Sequence, residues 1–170
     1  MAIIAVRRIG GRTKRRDWTR IARAIRYHIN TEERRRLLAE FNSVVLNWKH
    51  RPKFIANMGE KGGDLTLSVR PAGKEAQKWQ WVSRGTKGPY KIRAKNAPRL
   101  AFQTNYQPRT KPGGSFGGPG KATGPWRTAQ EVTHPGIEAR LFEEYIANRF
   151  APEFRRRIEN LIRREIRKGS

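Results

Sequence analysis

Residues 30–70, NTEERRRLLAEFNSVVLNWKHRPKFIANMGEKGGDLTLSVR, change period part-way and so decide the fold class. In the first half Leu37, Leu38, Phe41, Val44, Val45 and Trp48 recur every three or four residues, the apolar face of a helix. Asn30 followed by Glu33 has the form of a capping box, so a helix is expected from there to about Lys49, with Pro52 stopping it. Beyond the proline the period falls to two. Leu65, Leu67 and Val69 alternate with Thr66 and Ser68, which describes a strand with one buried face. Residues 53–58 and 64–70, separated by Gly59, Gly62 and Gly63, read as a hairpin with a loose loop.

Towards the N-terminus, Asp17 is placed to cap a helix over 18–29, with Trp18, Ile21, Ile25 and Ile29 on one side. Residues 1–16 read as a basic arm carrying Arg7, Arg8, Arg12, Lys14, Arg15 and Arg16, with Ile3, Ile4 and Val6 available to pair with a partner surface. Towards the C-terminus, short strands are expected at 79–83, 89–94, 99–104 and 126–133. Between the last two lies a segment, 108–125, with six glycines and four prolines. That composition excludes helix and sheet interior and predicts either a disordered segment or, the favoured reading, a long loop that orders against a partner through Arg109, Lys111, Phe116 and Lys121. Residues 137–168 are expected to be helical, with Ile137, Leu141, Phe142, Tyr145, Ile146 and Phe150 on one face. Pro152 should kink that helix or open a second one, along which Phe154, Ile158, Leu161, Ile162 and Ile166 continue the stripe. The fold predicted is α+β: a small, mostly antiparallel sheet packed by long N- and C-terminal helices, one domain over 17–170.

Charge is the strongest compositional signal. The 170 residues hold 38 Lys+Arg against 14 Asp+Glu, a formal net charge of +24, so the chain repels itself unless something anionic screens it. The excess is uneven: residues 1–36 have 12 basic and 3 acidic side chains, 37–130 have 17 and 4, and 131–170 have 9 and 7. This division fits a folded domain with basic surfaces better than an indiscriminate polycation. Lys91 and Arg93, in a strand region that also holds Trp79, Trp81 and Tyr90, are candidate contact residues beside the arm and the loop.

Catalytic chemistry has little to work with. With no cysteine, disulfides, thiolate metal sites and thiol nucleophiles are excluded together. His28, His50 and His134 have no ligand at short spacing, so no metal is expected. The stretch GGPGKATG at 117–124 fails as a phosphate loop, because Ser115 stands at the first glycine and Ala122 at the hydroxyl position. No apolar run reaches the roughly 18–20 residues of a membrane span. No enzymatic step, cofactor or membrane partner is expected.

The segment WVSRGTKGPYKIRAKNAPRLAFQT (81–104), followed after the Gly/Pro loop by WRTAQEVTHPGIEARLF (126–142), resembles the minor tail and tail-completion (neck) proteins of tailed bacteriophages. The matching residues are Gly85, Thr86, Pro89, Ile92, Ala94, Lys95, Leu100, Phe102, Val132, His134, Pro135, Gly136 and Phe142, and Tyr90 stands where histidine is common in that family. The resemblance implies a structural virion protein, made in the host cytoplasm, that builds a homo-oligomeric ring at the head–tail junction. It implies contacts with portal or adaptor and with tail-tube or terminator proteins, and with packaged DNA. Gly85, Thr86, His134, Pro135 and Gly136 would then be fold determinants. A nucleic-acid-binding protein associated with ribosome or nucleoid is the other reading of the charge.

Overall fold

The computed structural model describes residues 2–6, 15–61, 64–107, 110–111, 115–116 and 120–168. The fold is α+β. The single domain expected over 17–170 divides into two compact units: Met1–Ser43, Phe54–Ala72 and Glu143–Ser170 form the first, Val44–Lys53 and Gly73–Phe142 the second.

The first unit contains a three-stranded sheet of β1 (Ala2–Val6), β2 (Lys53–Lys61) and β3 (Asp64–Ala72) in the order β1-β3-β2. β3 is central, and Leu65, Leu67 and Val69 are buried in the alternation the sequence announces. β1 lies antiparallel to β3, from Ala2 opposite Val69 to Val6 opposite Leu65. The start of the arm therefore pairs within its own chain, where pairing with a partner surface was expected.

Two helices precede the hairpin, α1 (Arg15–His28) and α2 (Arg34–Val44), joined by a π-helical turn over Ile29–Glu33. Two expectations are corrected here. α1 begins at Arg15, so Asp17 lies inside it instead of capping it. Asn30 and Glu33 form no capping box: His28 and Arg34 both keep helical dihedrals, and the wider turn directs Ile29 and Glu33 together into the interior. Glu33 does not reach back to Asn30, because it is held by Arg157, whose Nε and Nη2 donate to its two carboxylate oxygens at 2.7 Å each. His28 adds a third contact, Nε2 to Oε1 at 3.1 Å.

α4 (Phe142–Arg167) is 26 residues long, about 39 Å of helix. It passes through Pro152 as one element, so the proline neither divides it nor opens a new helix. Residues 137–141, expected to be its first turns, are not helical, and Leu141 has a φ of 54°. Ile146, Phe150, Phe154, Ile158 and Ile162 are all buried at a strict spacing of four. Phe41 meets Phe54 at 5.2 Å between ring centres, so α2 packs on β2. Arg149 donates to Glu40 at 2.7 Å and Arg20 bonds the Glu165 carbonyl, so α4 is stapled near both ends as well as at Glu33. The Arg157 guanidinium also lies 5.4 Å above the Phe150 ring.

In the second unit the core is aromatic. α2 stops at Val44 and not near Lys49, and the chain turns so that Trp48 donates its backbone N–H to Val45 at 2.9 Å and approaches Trp79 at 6.3 Å. Trp79 is fully buried and meets Phe142 at 5.2 Å. It sits on α3 (Ala76–Arg84), where residues 79–83 were expected to form a strand. The WQWVS alternation misleads because burial follows the helical spacing instead: Trp79 and Ser83 are buried, four apart, while Trp81 is exposed. The remaining elements are β4 (Tyr90–Arg93), β5 (Leu100–Gln103), β6 (Tyr106–Gln107), β7 (Thr110–Lys111), β8 (Ser115–Phe116), β9 (Lys121–Ala122), β10 (Trp126–Ala129) and β11 (Glu131–His134). The strand expected at 126–133 is thus two, β10 and β11, parted at Gln130 and serving different partners.

Candidate assembly surface

Two backbone segments cross in the second unit, residues 85–88 and 134–137. The Thr86 N–H donates to the Ile137 carbonyl and the Ile137 N–H donates to the Thr86 hydroxyl, both at 2.9 Å. The Gly136 N–H donates to His134 Nδ1 at 3.0 Å, and the His134 ring stacks on Tyr90 at 5.0 Å. Glycine is required at two places. Gly136 has φ of 101°, and a Cβ there would lie 2.8 Å from the Thr86 carbonyl oxygen. Gly88 rests directly on the Pro135 carbonyl, leaving no room for a Cβ. Gly85, Thr86, His134, Pro135 and Gly136, separated by about fifty residues of sequence, are thus brought to one crossing, and the functional chemistry of His134 is that of an acceptor for a backbone amide.

That crossing launches β4 and ends β11, which pair antiparallel with Arg93 opposite Glu131, Ile92 opposite Val132, Lys91 opposite Thr133 and Tyr90 opposite His134. Lys91 and Arg93 share one face of β4, Tyr90 and Ile92 the other, and all four are exposed. Glu131 takes both cations, Lys91 Nζ at 2.8 Å and Arg93 Nε at 2.5 Å. Its hydrogen bonds from Lys91 and then Arg93 hold the Glu131 carboxyl below the ordinary glutamate range, while the same contact raises Lys91. A carboxyl lowered by folding favours the folded ladder above the unfolded value and loses that contribution as pH falls through the folded one. A carboxyl NMR titration is expected to place Glu131 below the unpaired exposed glutamates, and Lys91→Met with Arg93→Met to return it to the ordinary range. A titration unmoved by the double substitution would disprove the pairing.

The Gly/Pro segment departs from the loop that composition predicts. β10 pairs with β5, β9 with β6 and β8 with β7, each antiparallel and each nested inside the last. β5, β6 and β7 on the outgoing side and β8, β9 and β10 on the return side therefore make up one interrupted hairpin. Between Gln103–Trp126 and Tyr106–Ala122 the outgoing arm advances three residues and the return arm four; between Gln107–Lys121 and Thr110–Phe116 the return arm takes two extra. Glycine absorbs the first slip: Gly124 is buried against Thr104, to whose carbonyl its N–H donates at 3.0 Å. Further out, the Gly120 N–H donates to the Tyr106 hydroxyl at 3.0 Å.

The hairpin buries little of itself. Trp126 is 72% exposed and Tyr106 60%, and Lys121 and Arg127 are exposed as well. Residues 76–130 contain eleven Lys and Arg and not one Asp or Glu. The unit's three glutamates are engaged, Glu75 with Lys78, Glu131 with Lys91 and Arg93, and Glu138 with Arg140. No further carboxylate belongs to this unit to neutralise Lys87, Lys95, Arg99, Lys121 or Arg127. Neither family models, nor curated proteins, nor solved structures match the chain.

Of the contact residues read from the sequence, Lys91, Arg93 and Lys121 belong to this surface. Lys111 and Phe116 lie in its β7 and β8, and Arg15 and Arg16 open α1 in the other unit. Arg7, Arg8, Arg12, Lys14 and Arg109 lie outside the described residues. Sequence reasoning missed Trp126, Tyr106 and Glu131. The acid-free run from 76 to 130 was the available signal for the first two; for Glu131 it was the alternation of E-V-T-H against Y-K-I-R. Among the described residues no group of three His, Asp or Glu is placed to hold a metal, and no helix is long and apolar enough to cross a membrane.

Proposed function

We propose that the protein is an assembly subunit of a tailed-phage virion, a neck or tail-completion protein that joins copies of itself into a ring at the head–tail junction. The observation that carries this reading is the interrupted hairpin of β5–β10, which leaves Tyr106, Trp126, Lys121 and Arg127 exposed, with no carboxylate of the unit free to pair the cations. Such a β surface acquires its stability from neighbours, and heterologous contacts repeated around a closed rotation make a ring. The convergence of the motif residues at the 85–88 and 134–137 crossing supports the family resemblance, since it gives them a shared structural task. The basic excess suits acidic portal, adaptor, tail-tube or terminator surfaces and the phosphates of packaged DNA. No enzymatic step belongs to the proposal.

Native mass spectrometry of nuclease-treated protein across a salt series, alone and coexpressed with phage portal and tail-tube proteins, tests it. A closed ring in either condition is the expected result. The acid-free run favours one competing reading, a monomer that captures nucleic acid. Under it the protein stays monomeric in both conditions and loses oligonucleotide steeply as salt rises.

A further inference from the structure

We infer that β4 is a docking edge for an acidic, extended segment of a partner protein, which adds as a strand beside Tyr90–Arg93. β4 has one strand neighbour among the described residues, β11, so its other edge carries no strand pairing there. Every side chain of β4 is exposed, which is unusual for a strand holding a tyrosine and an isoleucine. Its faces are chemically distinct: Lys91 and Arg93 on one, Tyr90 and Ile92 on the other.

β11 already shows which strand chemistry satisfies these faces. It sets a carboxylate, Glu131, on the cationic side and Val132 and His134 on the apolar side. One carboxylate shared by two cations leaves a net positive charge on that face, and no other carboxylate of the unit is free to cancel it. A second strand on the other edge of β4 meets the same two faces, so the fitting sequence alternates acidic with apolar residues. Main-chain hydrogen bonds supply the affinity and the alternation supplies the choice of partner. A nucleic acid would satisfy the cations but has no regular amide ladder to offer a strand edge. A second copy of this unit offers only glutamates that are already engaged.

This deepens the assembly reading by naming the chemistry of one partner, and the two fail separately, because rings can form without peptide binding and peptide can bind without rings. Fluorescence polarisation with the full chain would use a blocked eight-residue peptide alternating glutamate and valine. Controls are the same peptide with a central proline, oligoglutamate of equal charge, and a twenty-residue oligothymidylate. The expected result is saturable binding of the alternating peptide, weakened about tenfold or more by the proline and by Lys91→Glu with Arg93→Glu. Hydrogen exchange should show new protection at residues 90–93 on binding. Equal binding of the proline peptide or oligoglutamate would overturn strand addition, as would binding of oligothymidylate alone. Self-association with protection of residues 90–93 in the absence of peptide would replace the acidic partner with a second copy.

Discussion

Glu33→Ala is expected to lower the stability of the first unit by about 3–5 kcal/mol, the usual consequence of removing one partner from a buried ion pair. The Glu33 side chain is fully buried, and the Arg157 side chain, 22% exposed, donates to both its oxygens. Alanine leaves the guanidinium desolvated over Phe150 with only Glu153, at 3.8 Å, for a counter-charge. It also removes the group that draws the π-helical turn inward, so the turn should relax towards α geometry. Replacing both partners, Glu33→Leu with Arg157→Met, should recover most of the loss, because a well-packed apolar pair removes both desolvation penalties. Urea denaturation followed by far-ultraviolet circular dichroism checks the ordering. If the double variant is as unstable as Glu33→Ala, shape and not charge governs the site.

Gly136→Val should be nearly as damaging, by about 3 kcal/mol, since it combines a φ that valine avoids with a steric clash. The φ of 101° is outside the range of a β-branched residue, and the new Cβ meets the Thr86 carbonyl oxygen. Gly88→Ala attacks the same crossing from the other strand by forcing the Pro135 carbonyl away. Four of the five tryptophans, Trp48, Trp79, Trp81 and Trp126, belong to the second unit, so fluorescence reports on it. The expected outcome is a lower fluorescence-detected midpoint for each variant, and a His134→Ala change milder than either. An unchanged midpoint in Gly136→Val would mean that the crossing adds nothing to the unit.

α1, α2, α4 and the β2–β3 hairpin were legible because burial there follows a single period over many residues, as in the stripe from Ile146 to Ile162. Where the reading failed, a distant partner had overridden a local pattern. Asn30 and Glu33 look like a cap, but the partner of Glu33 is Arg157, 124 residues away. Two tryptophans two apart look like a strand, but Trp79 is drawn to Trp48 and Phe142 while Trp81 is not. The motif residues 85–86 and 134–136 were visible as a set, whereas their meeting depends on contacts some fifty residues apart. The nested pairing of β5, β6 and β7 with β10, β9 and β8 was hidden by glycines and prolines, whose composition speaks for irregularity even where short strands form.

The slipping register of that hairpin also bears on how the protein survives before assembly. Among the described residues of the second unit no ladder runs for more than four paired residues, and the register slips between successive ladders of the hairpin. Amyloid stacking needs about six or seven consecutive residues in register, with low charge and no proline. A hairpin broken at these intervals, and carrying lysine and arginine but no acidic residue, is a poor template for fibrils. The interruptions that leave this β surface open thus also work against its stacking into fibrils.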